Sequence, residues 1–174
     1  MLERAEIHTA IKMIEDKKNN LKRIIDIGCQ TEAFQLLALH IDFIGKLLHR
    51  LKPTVTVSWD KNRPDADECF KNVCNQLDSM CKYDEDILRD NLRNGMIHNE
   101  CPKPGLTLTH TLQQKLNGKN KTINLNDFYS DFCKACNDVI KMLNDYEKSY
   151  PGSLKTNKKF PRLIIGVHND NKKD

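Results

Sequence analysis

The stretch "FQLLALHIDFIGKLLHRL", residues 34–51, decides the fold class of this 174-residue chain. Its large apolar side chains recur at steps of three, four and seven residues, which is the spacing of one buried face on an α-helix. No apolar run in the chain reaches the roughly 20 residues that a membrane span requires. The stretch therefore predicts a core helix with this inward set: Phe34, Leu37, Ile41, Ile44, Leu48 and Leu51.

Four other segments share this helical period. Five helices are thus predicted, over residues 3–27, 31–52, 65–81, 84–98 and 126–150. Asp65 or Asp67 can cap the third helix, and Asn126 or Asp127 can cap the last one. The inward set of the last helix is Phe128, Phe132, Ala135, Val139, Met142 and Leu143.

The period changes between the fourth and the last predicted helix. "LTLTHTLQQKLNGKNKTINL", residues 106–125, alternates apolar and polar side chains around the turn-rich "NGKNK". This pattern predicts a β-hairpin of residues 106–112 and 120–125. Residues 1–150 are therefore expected to form one mainly α domain, an antiparallel bundle of about five helices with one inserted β-hairpin.

Residues 151–174 form a basic tail, with six basic and two acidic side chains. The tail carries the whole formal net charge of +4, so residues 1–150 are neutral in sum. A body that binds nucleic acid over a broad surface is normally basic, so any RNA contact is expected from a local patch or from the tail. The segment "RLIIGV" in the tail can form a short strand that adds to a partner.

The N-terminal "MLERAEIHTA" lacks the apolar block of a signal peptide, so we expect a cytoplasmic protein without membrane association. Seven cysteines at irregular spacing predict reduced, mostly buried thiols. Cys133 and Cys136 form a lone CxxC, whereas a structural zinc site needs four ligands. The chain also lacks P-loop and dinucleotide-binding glycine patterns. We therefore expect neither a metal nor a cofactor.

The segment "LRNGMIHNE", residues 92–100, combines Arg93, Asn94 and His98 at the end of the predicted fourth helix. On a regular helix, Arg93 and His98 flank the buried stripe on opposite sides. One chain therefore does not bring both side chains into one cleft, unless Gly95 loosens the last turn. Two copies of the helix that meet across a dimer interface can place Arg93 of one chain beside His98 of the other.

A non-catalytic interpretation treats these residues as a solvated helix end. Arg93 would pair with Asp90, and Arg89 with Glu85 or Asp86, as ion pairs on one helix face. A histidine near a helix C-terminus is favoured by the helix dipole. These pairs are what the sequence predicts if the segment has no catalytic task.

The hexapeptide "RNGMIH", residues 93–98, resembles the Arg-polar-x(3–5)-His motif of the HEPN superfamily, the higher eukaryotes and prokaryotes nucleotide-binding domains. Asn94 occupies the polar position that directly follows the arginine. The helical pattern over residues 1–150 is also similar to that family, and the hairpin looks like an elaboration that some members carry. The tail lies outside the resemblance.

This resemblance implies a metal-independent endoribonuclease, in the manner of a toxin or defence effector, with the active site formed across a homodimer. Arg93, Asn94 and His98 would be catalytic and Arg89 would bind the RNA substrate. An imidazole can exchange protons with the RNA 2′-OH at neutral pH, and a guanidinium can stabilise phosphoryl oxygens. An inhibitory protein or a nucleotidyltransferase would be the restraining partner. The alternative is a non-catalytic helical adaptor that binds a nucleotide or a protein.

Asp42 stands out because it interrupts the apolar second helix. A buried carboxylate requires a partner. Ala38, Gly45 and His49 share its side of the helix at helical spacing, and the small residues among them predict the close approach of another helix. These residues would then serve packing, with support of the Arg93 motif as the alternative.

Overall fold

Helices make up most of the part of the chain that a computed structural model describes, which is Leu2, residues 4–51 and residues 64–149. The elements in chain order are α1 (Arg4–Asp26), α2 (Gln30–Leu51), α3 (Ala66–Gln76), a π-helical segment (Ile87–Arg93) continuing into α4 (Asn94–Asn99), β1 (Leu106–Thr109), β2 (Lys121–Asn124) and α5 (Leu125–Ser149). The prediction of a mainly helical chain is confirmed. The basic tail and its "RLIIGV" segment lie outside the described residues.

The first helix runs antiparallel to both α2 and α5. Near the start of α1, Glu6 pairs with Arg50 at the end of α2, and Arg4 pairs with Glu147 at the end of α5. Apolar faces of these helices meet in one core, as the helical period predicts. The largest fully buried side chains are Phe70, Phe128, Phe132, Ile7, Ile14, Leu21, Leu37, Ile41, Ile44, Leu48, Leu77 and Met80.

Helices α2 and α3 approach closely at Gly45. A Cβ atom at this position would lie 2.3 Å from the carbonyl oxygen of Cys69 and 2.6 Å from its Cα. Ala38 on the same side of α2 is completely buried. Asp42 is paired with Lys46 at 2.8 Å, one helical turn further on. The prediction that small residues permit close helix approach, with a partner for Asp42, is confirmed.

Polar side chains cross this α2–α3 contact. The Nδ1 atom of His49 lies 2.8 Å from Oε1 of Glu68. Burial, and secondarily the carboxylate of Asp42, raises the pKa of the Cys69 thiol to about 12. Cys69 is therefore a protonated packing residue at neutral pH, because only the thiolate is a strong nucleophile.

The third helix ends at Gln76, five residues earlier than predicted. Asp65 caps its N-terminus as expected, accepting a hydrogen bond of 2.8 Å from the N–H of Glu68. Leu77 then adopts an extended conformation, and the chain continues in turns. Leu77, Met80 and Tyr83 are all buried at steps of three residues. That spacing imitates a helix, which explains the overextended prediction.

The last helix begins one residue earlier than predicted and has a different cap. Asn124 at the end of β2 accepts hydrogen bonds of 2.9 and 3.3 Å from the N–H groups of Asn126 and Asp127. Asn124 is therefore the residue whose side chain caps α5, and Asn126 and Asp127 supply the backbone N–H groups that it binds. Met142, predicted to point inward, is 39% exposed because it lies at the edge of the buried stripe of α5.

The two strands pair in parallel, so the predicted β-hairpin is wrong. The register places Leu106 opposite Lys121 along one edge of β2. The "NGKNK" turn does reverse the chain, but it pairs Lys115 with Thr122 on the other edge. The hydroxyl of Thr109 accepts hydrogen bonds from the N–H groups two and three residues later, which turns the chain at the end of β1. This early turn removes residues 110–112 from the strand.

A buried carboxylate on α5 holds the turns that follow α3. Asp131 is 4% exposed and accepts a hydrogen bond of 2.8 Å from the hydroxyl of Tyr83. Lys82 and Lys134 pair with the same carboxylate. The hydroxyl of Ser79 donates a hydrogen bond to the backbone carbonyl of Asp131. Burial and the hydrogen bond to Asp131 raise the pKa of Tyr83. These contacts join the turns of residues 78–83 to α5.

All seven cysteines are free thiols. Cys69, Cys74 and Cys136 are buried, whereas Cys81 and Cys101 are exposed, so the predicted burial holds for only part of the set. Among the described helices, none combines the length and apolar character needed to cross a membrane.

Candidate active site

The candidate site lies on a π-helical segment that the sequence pattern does not predict. The N–H of Asn94 donates to the carbonyl of Arg89, five residues earlier, instead of the residue four earlier as in an α-helix. Leu88, Leu92 and Met96 are nevertheless buried, which is the stripe that the helical period predicts. π-Helical segments are rare and occur frequently at functional sites.

Arg89 is surrounded by carboxylates. Its Nε and Nη2 atoms donate to the two oxygens of Asp90 at 3.0 and 2.7 Å. Its guanidinium also pairs with Asp86 at 3.1 Å and with Asp67 of α3 at 3.0 Å. The hydrogen bond from Arg89 lowers the pKa of Asp90, and the same bond raises the pKa of Arg89. The predicted pairing of Arg89 with Asp86 is confirmed.

Arg93 has a neutral partner. Its Nη1 atom donates to Oδ1 of Asn94 at 2.8 Å, and Nδ2 of Asn94 donates to Asp90 at 3.3 Å. The predicted ion pair between Arg93 and Asp90 is wrong, because Arg89 and Asn94 occupy that carboxylate. In the described part of the chain, no carboxylate pairs with Arg93 and its enclosed Nε atom has no hydrogen-bond partner. A half-buried guanidinium thus keeps its charge unbalanced.

His98 lies apart from this network. It is exposed in the last turn of α4, and no hydrogen bond or ion pair within residues 4–51 and 64–149 joins it to Arg93 or Asn94. The structure therefore brings together Arg89, Asp90, Arg93 and Asn94. Among the described residues, no contact joins His98 to Arg93, which the helical wheel places on the opposite side of the buried stripe. The role of Asp90 as acceptor for Asn94 was missed, although the two are one helical turn apart.

Gly95 permits the chain to fold back over the fourth helical region. A Cβ atom here would lie 2.7 Å from the carbonyl oxygen of Cys101 and 2.8 Å from the nitrogen of Lys103. The N–H of Lys103 donates to the carbonyl of Asn91 at 3.0 Å. The expectation that Gly95 loosens the last turn is wrong, since the helix continues to Asn99 and returning backbone packs on the glycine.

Replacing Gly95 with alanine is expected to detach this returning segment. The added methyl meets backbone atoms, and overpacking of this kind typically destabilises by about 1–3 kcal/mol. We expect faster hydrogen exchange at the Lys103 amide, measured by NMR. Gly118→Ala is the control, because it strains a left-handed backbone with a φ of 88° but places its methyl where no atom lies within 4 Å, so exchange at Lys103 should not change. Unchanged exchange at Lys103 in Gly95→Ala would contradict the close approach.

Exposed apolar side chains flank the candidate site. The amide of Gln35 on α2 donates to the carbonyl of Met96 at 3.2 Å and so joins α2 to α4. Leu39 is one turn from Gln35 on the same side of α2 and is 44% exposed, while Ile97 on α4 is 39% exposed. Exposed apolar side chains beside a charged site are typical of contact surfaces.

The described residues contain no group of three or more His, Cys, Asp or Glu side chains placed to hold a metal ion. No protein-family model, no curated protein and no solved structure matches this chain.

Proposed function

We propose that this protein is a metal-independent endoribonuclease of the HEPN type, with Arg93, Asn94 and His98 as catalytic residues. One observation carries the proposal. Among the described residues, the half-buried guanidinium of Arg93 forms a hydrogen bond only with the neutral amide of Asn94, because Arg89 occupies the nearby carboxylate of Asp90. A cation without a counterion is suited to bind a phosphate.

The residues supply each part of the reaction. The imidazole of His98 removes the proton from an RNA 2′-OH, whose oxygen attacks the adjacent phosphorus and expels the 5′-oxygen of the next nucleotide. The proton then returns to that leaving oxygen, so the products are a cyclic phosphate and a free 5′-hydroxyl. Arg93 stabilises the charge on the non-bridging oxygens. Asn94, held by Asp90, orients the guanidinium.

Arg89 is the substrate-binding residue in this proposal, at the rim of the site. Three carboxylates already balance its charge, so an RNA phosphate has to displace one of them. Its contribution to binding is therefore smaller than that of Arg93. A second effect of Arg89 is to keep Asp90 away from the Arg93 guanidinium.

A homodimer would complete the site. Arg93 and His98 do not contact each other within one chain, so the His98 imidazole has to meet an Arg93 guanidinium of a second copy. The exposed Leu39 and Ile97 beside the motif give such a contact an apolar component. In a twofold dimer each residue pair would occur twice, which yields two equivalent catalytic groupings.

The direct test is cleavage of total cellular RNA in EDTA by the wild type and by Arg93→Ala. Removing one electrostatic stabiliser of the transition state typically slows catalysis by about 10²–10³-fold, and we expect that loss. Arg4→Ala is the matched control, since Arg4 is exposed and pairs with Glu147 far from the motif. Equal rates for wild type and Arg93→Ala, or no cleavage by the wild type, would refute the assignment.

Mixing two inactive variants tests the shared site. Arg93→Ala and His98→Ala chains are unfolded and refolded together so that mixed dimers form. In a mixed dimer, one of the two active sites keeps both an Arg93 and a His98, and the other has neither. About half of the dimers are mixed and roughly half of their sites are intact, so about a quarter of wild-type activity should return. If Arg93 and His98 of the same chain act together, the mixture stays inactive, which would contradict the dimeric site.

The proposal extends to a toxin or defence effector restrained by an inhibitory protein or a nucleotidyltransferase. Expression of the wild type in cells should then arrest growth, whereas expression of Arg93→Ala should not. Growth arrest by both forms would exclude RNA cleavage as its cause.

A second candidate function is a non-catalytic adaptor that binds a nucleotide or a protein. The exposure of His98 without a hydrogen-bonding partner in the described residues favours it, because an isolated imidazole has no positioned group to assist catalysis. An adaptor would bind its partner equally well as the wild type and as His98→Ala, and neither form would cleave RNA.

A further inference from the structure

A groove separates the second half of α1 from the first half of α2, away from the Arg93 motif. It encloses about 380 Å³, which lies within the range of small-molecule pockets. Its polar lining consists of Lys17, Asn20, Arg23 and His40, and its apolar lining of Ile24, Ile27 and Leu36. No acidic side chain is among these residues.

The two cations of the groove lack counterions. Lys17 and Arg23 have no carboxylate partner in the described residues, whereas the neighbouring Lys18 and Lys22 of α1 pair with acids of their own helix. The Nζ atom of Lys17 lies 4.9 Å from the centre of the Phe43 ring, and burial lowers the pKa of Lys17. The positive charge is thus concentrated on the face of α1 that lines the groove.

His40 provides a buried polar group at the same place. It is 7% exposed, and its Nδ1 atom is enclosed without a hydrogen-bond partner in the part of the chain that the structure describes. Burial, assisted by the charge of Lys17, lowers the pKa of His40 to about 4, so the ring is neutral at neutral pH. A neutral imidazole keeps one proton. The ring nitrogen that carries this proton can donate a hydrogen bond to a ligand.

We propose that this groove binds a small organic anion, one in which a single carboxylate or phosphate is attached to an apolar body. Lys17 and Arg23 bind the anionic head, and the His40 ring and Asn20 donate hydrogen bonds to its oxygens. Ile24 and Leu36 pack against the body. Every polar side chain of the lining can act as a donor, which favours an anion over a cation. This site is independent of the proposed RNA cleavage.

Calorimetric titration of the full chain with matched eight-carbon probes tests the proposal. Octanoate and octyl phosphate carry the anionic head and the apolar body, octanol lacks the charge, and inorganic phosphate lacks the body. We expect at least one of the first two to bind about tenfold or more tightly than both controls, because octanol lacks the charged hydrogen-bond acceptor and inorganic phosphate lacks the apolar surface that binding would bury. The tighter of the two identifies the anion. Equal affinity for octanol, or no binding of either anion, would overturn the proposal.

Two variants of α1 locate the binding site. Arg23→Gln should weaken the tighter probe by about tenfold to a hundredfold, as expected for the loss of a charged hydrogen bond. Lys22→Gln is the matched control, since it removes one adjacent charge of the same helix outside the groove. Equal weakening by both variants would show that only net charge matters and would reject the groove as the site.

Discussion

Replacing His98 with glutamine is expected to reduce RNA cleavage by about 10²–10⁴-fold, the usual contribution of a positioned general acid–base group. Glutamine keeps a polar side chain of similar reach but cannot exchange protons near neutral pH. Because His98 is exposed and no hydrogen bond or ion pair joins it to another described residue, the substitution should leave the unfolding temperature unchanged. Rates measured on a labelled RNA in EDTA, alongside thermal unfolding, separate loss of chemistry from loss of structure.

The control for this substitution is His8→Gln. His8 is an exposed histidine on α1 whose side chain is 58% accessible and lies 3.4 Å from Glu147. It is on a different surface, so cleavage should be retained. Added imidazole should partly restore activity to His98→Ala but not to Arg93→Ala, because free imidazole replaces a proton carrier and not a guanidinium. Full activity in His98→Gln would remove this histidine from the mechanism.

Replacing Gly45 with alanine is expected to destabilise the protein by about 2–3 kcal/mol, towards the upper end of the usual overpacking range. Alanine favours a helix over glycine by up to about 1 kcal/mol, which opposes the effect. The steric overlap exceeds this gain in helix propensity, because the new methyl would lie within 2.7 Å of three backbone atoms of Cys69. The backbone of Cys69, in the first turn of the packed helix α3, cannot move aside as a flexible side chain can.

Urea unfolding followed by circular dichroism measures this change. Gly28→Ala separates overlap from backbone strain, since Gly28 has a φ of 82° but no atom within 4 Å of an added Cβ. We expect Gly28→Ala to cost about 1–2 kcal/mol, from the left-handed backbone alone. A Gly45→Ala protein as stable as the wild type would mean that α2 and α3 are further apart at Cys69.

The long helices were predictable because their burial repeats with the helical period. Ile41, Ile44 and Leu48 of α2 are buried where the sequence places them. The close approach at Gly45 was also predictable, since small side chains at helical spacing leave room for a neighbouring backbone. The end of the third helix was predicted wrongly because Leu77 and Met80 are buried at helical spacing although neither is in a helix.

The residues of the candidate site, Arg93, Asn94 and His98, are a prediction from the resemblance to the HEPN motif, and their contacts come from the structure. The sequence alone predicted that Arg93 and His98 diverge around the helix. The sequence could not show that Asp90 pairs with Arg89, because the side chains of Arg89 and Arg93 can both reach that carboxylate on one helix. The choice between them depends on the π-helical turn and on Asp67 from α3.

By itself the sequence determined the helical class, the buried faces and the position of the Arg93 motif, because each of these follows from the spacing of neighbouring residues. Only the tertiary structure decided the parallel pairing of β1 with β2, the fold-back over Gly95 and the unbalanced charge of Arg93. Those features depend on residues far apart in the chain, such as Asp67 beside Arg89, and on backbone atoms whose approach no local pattern encodes.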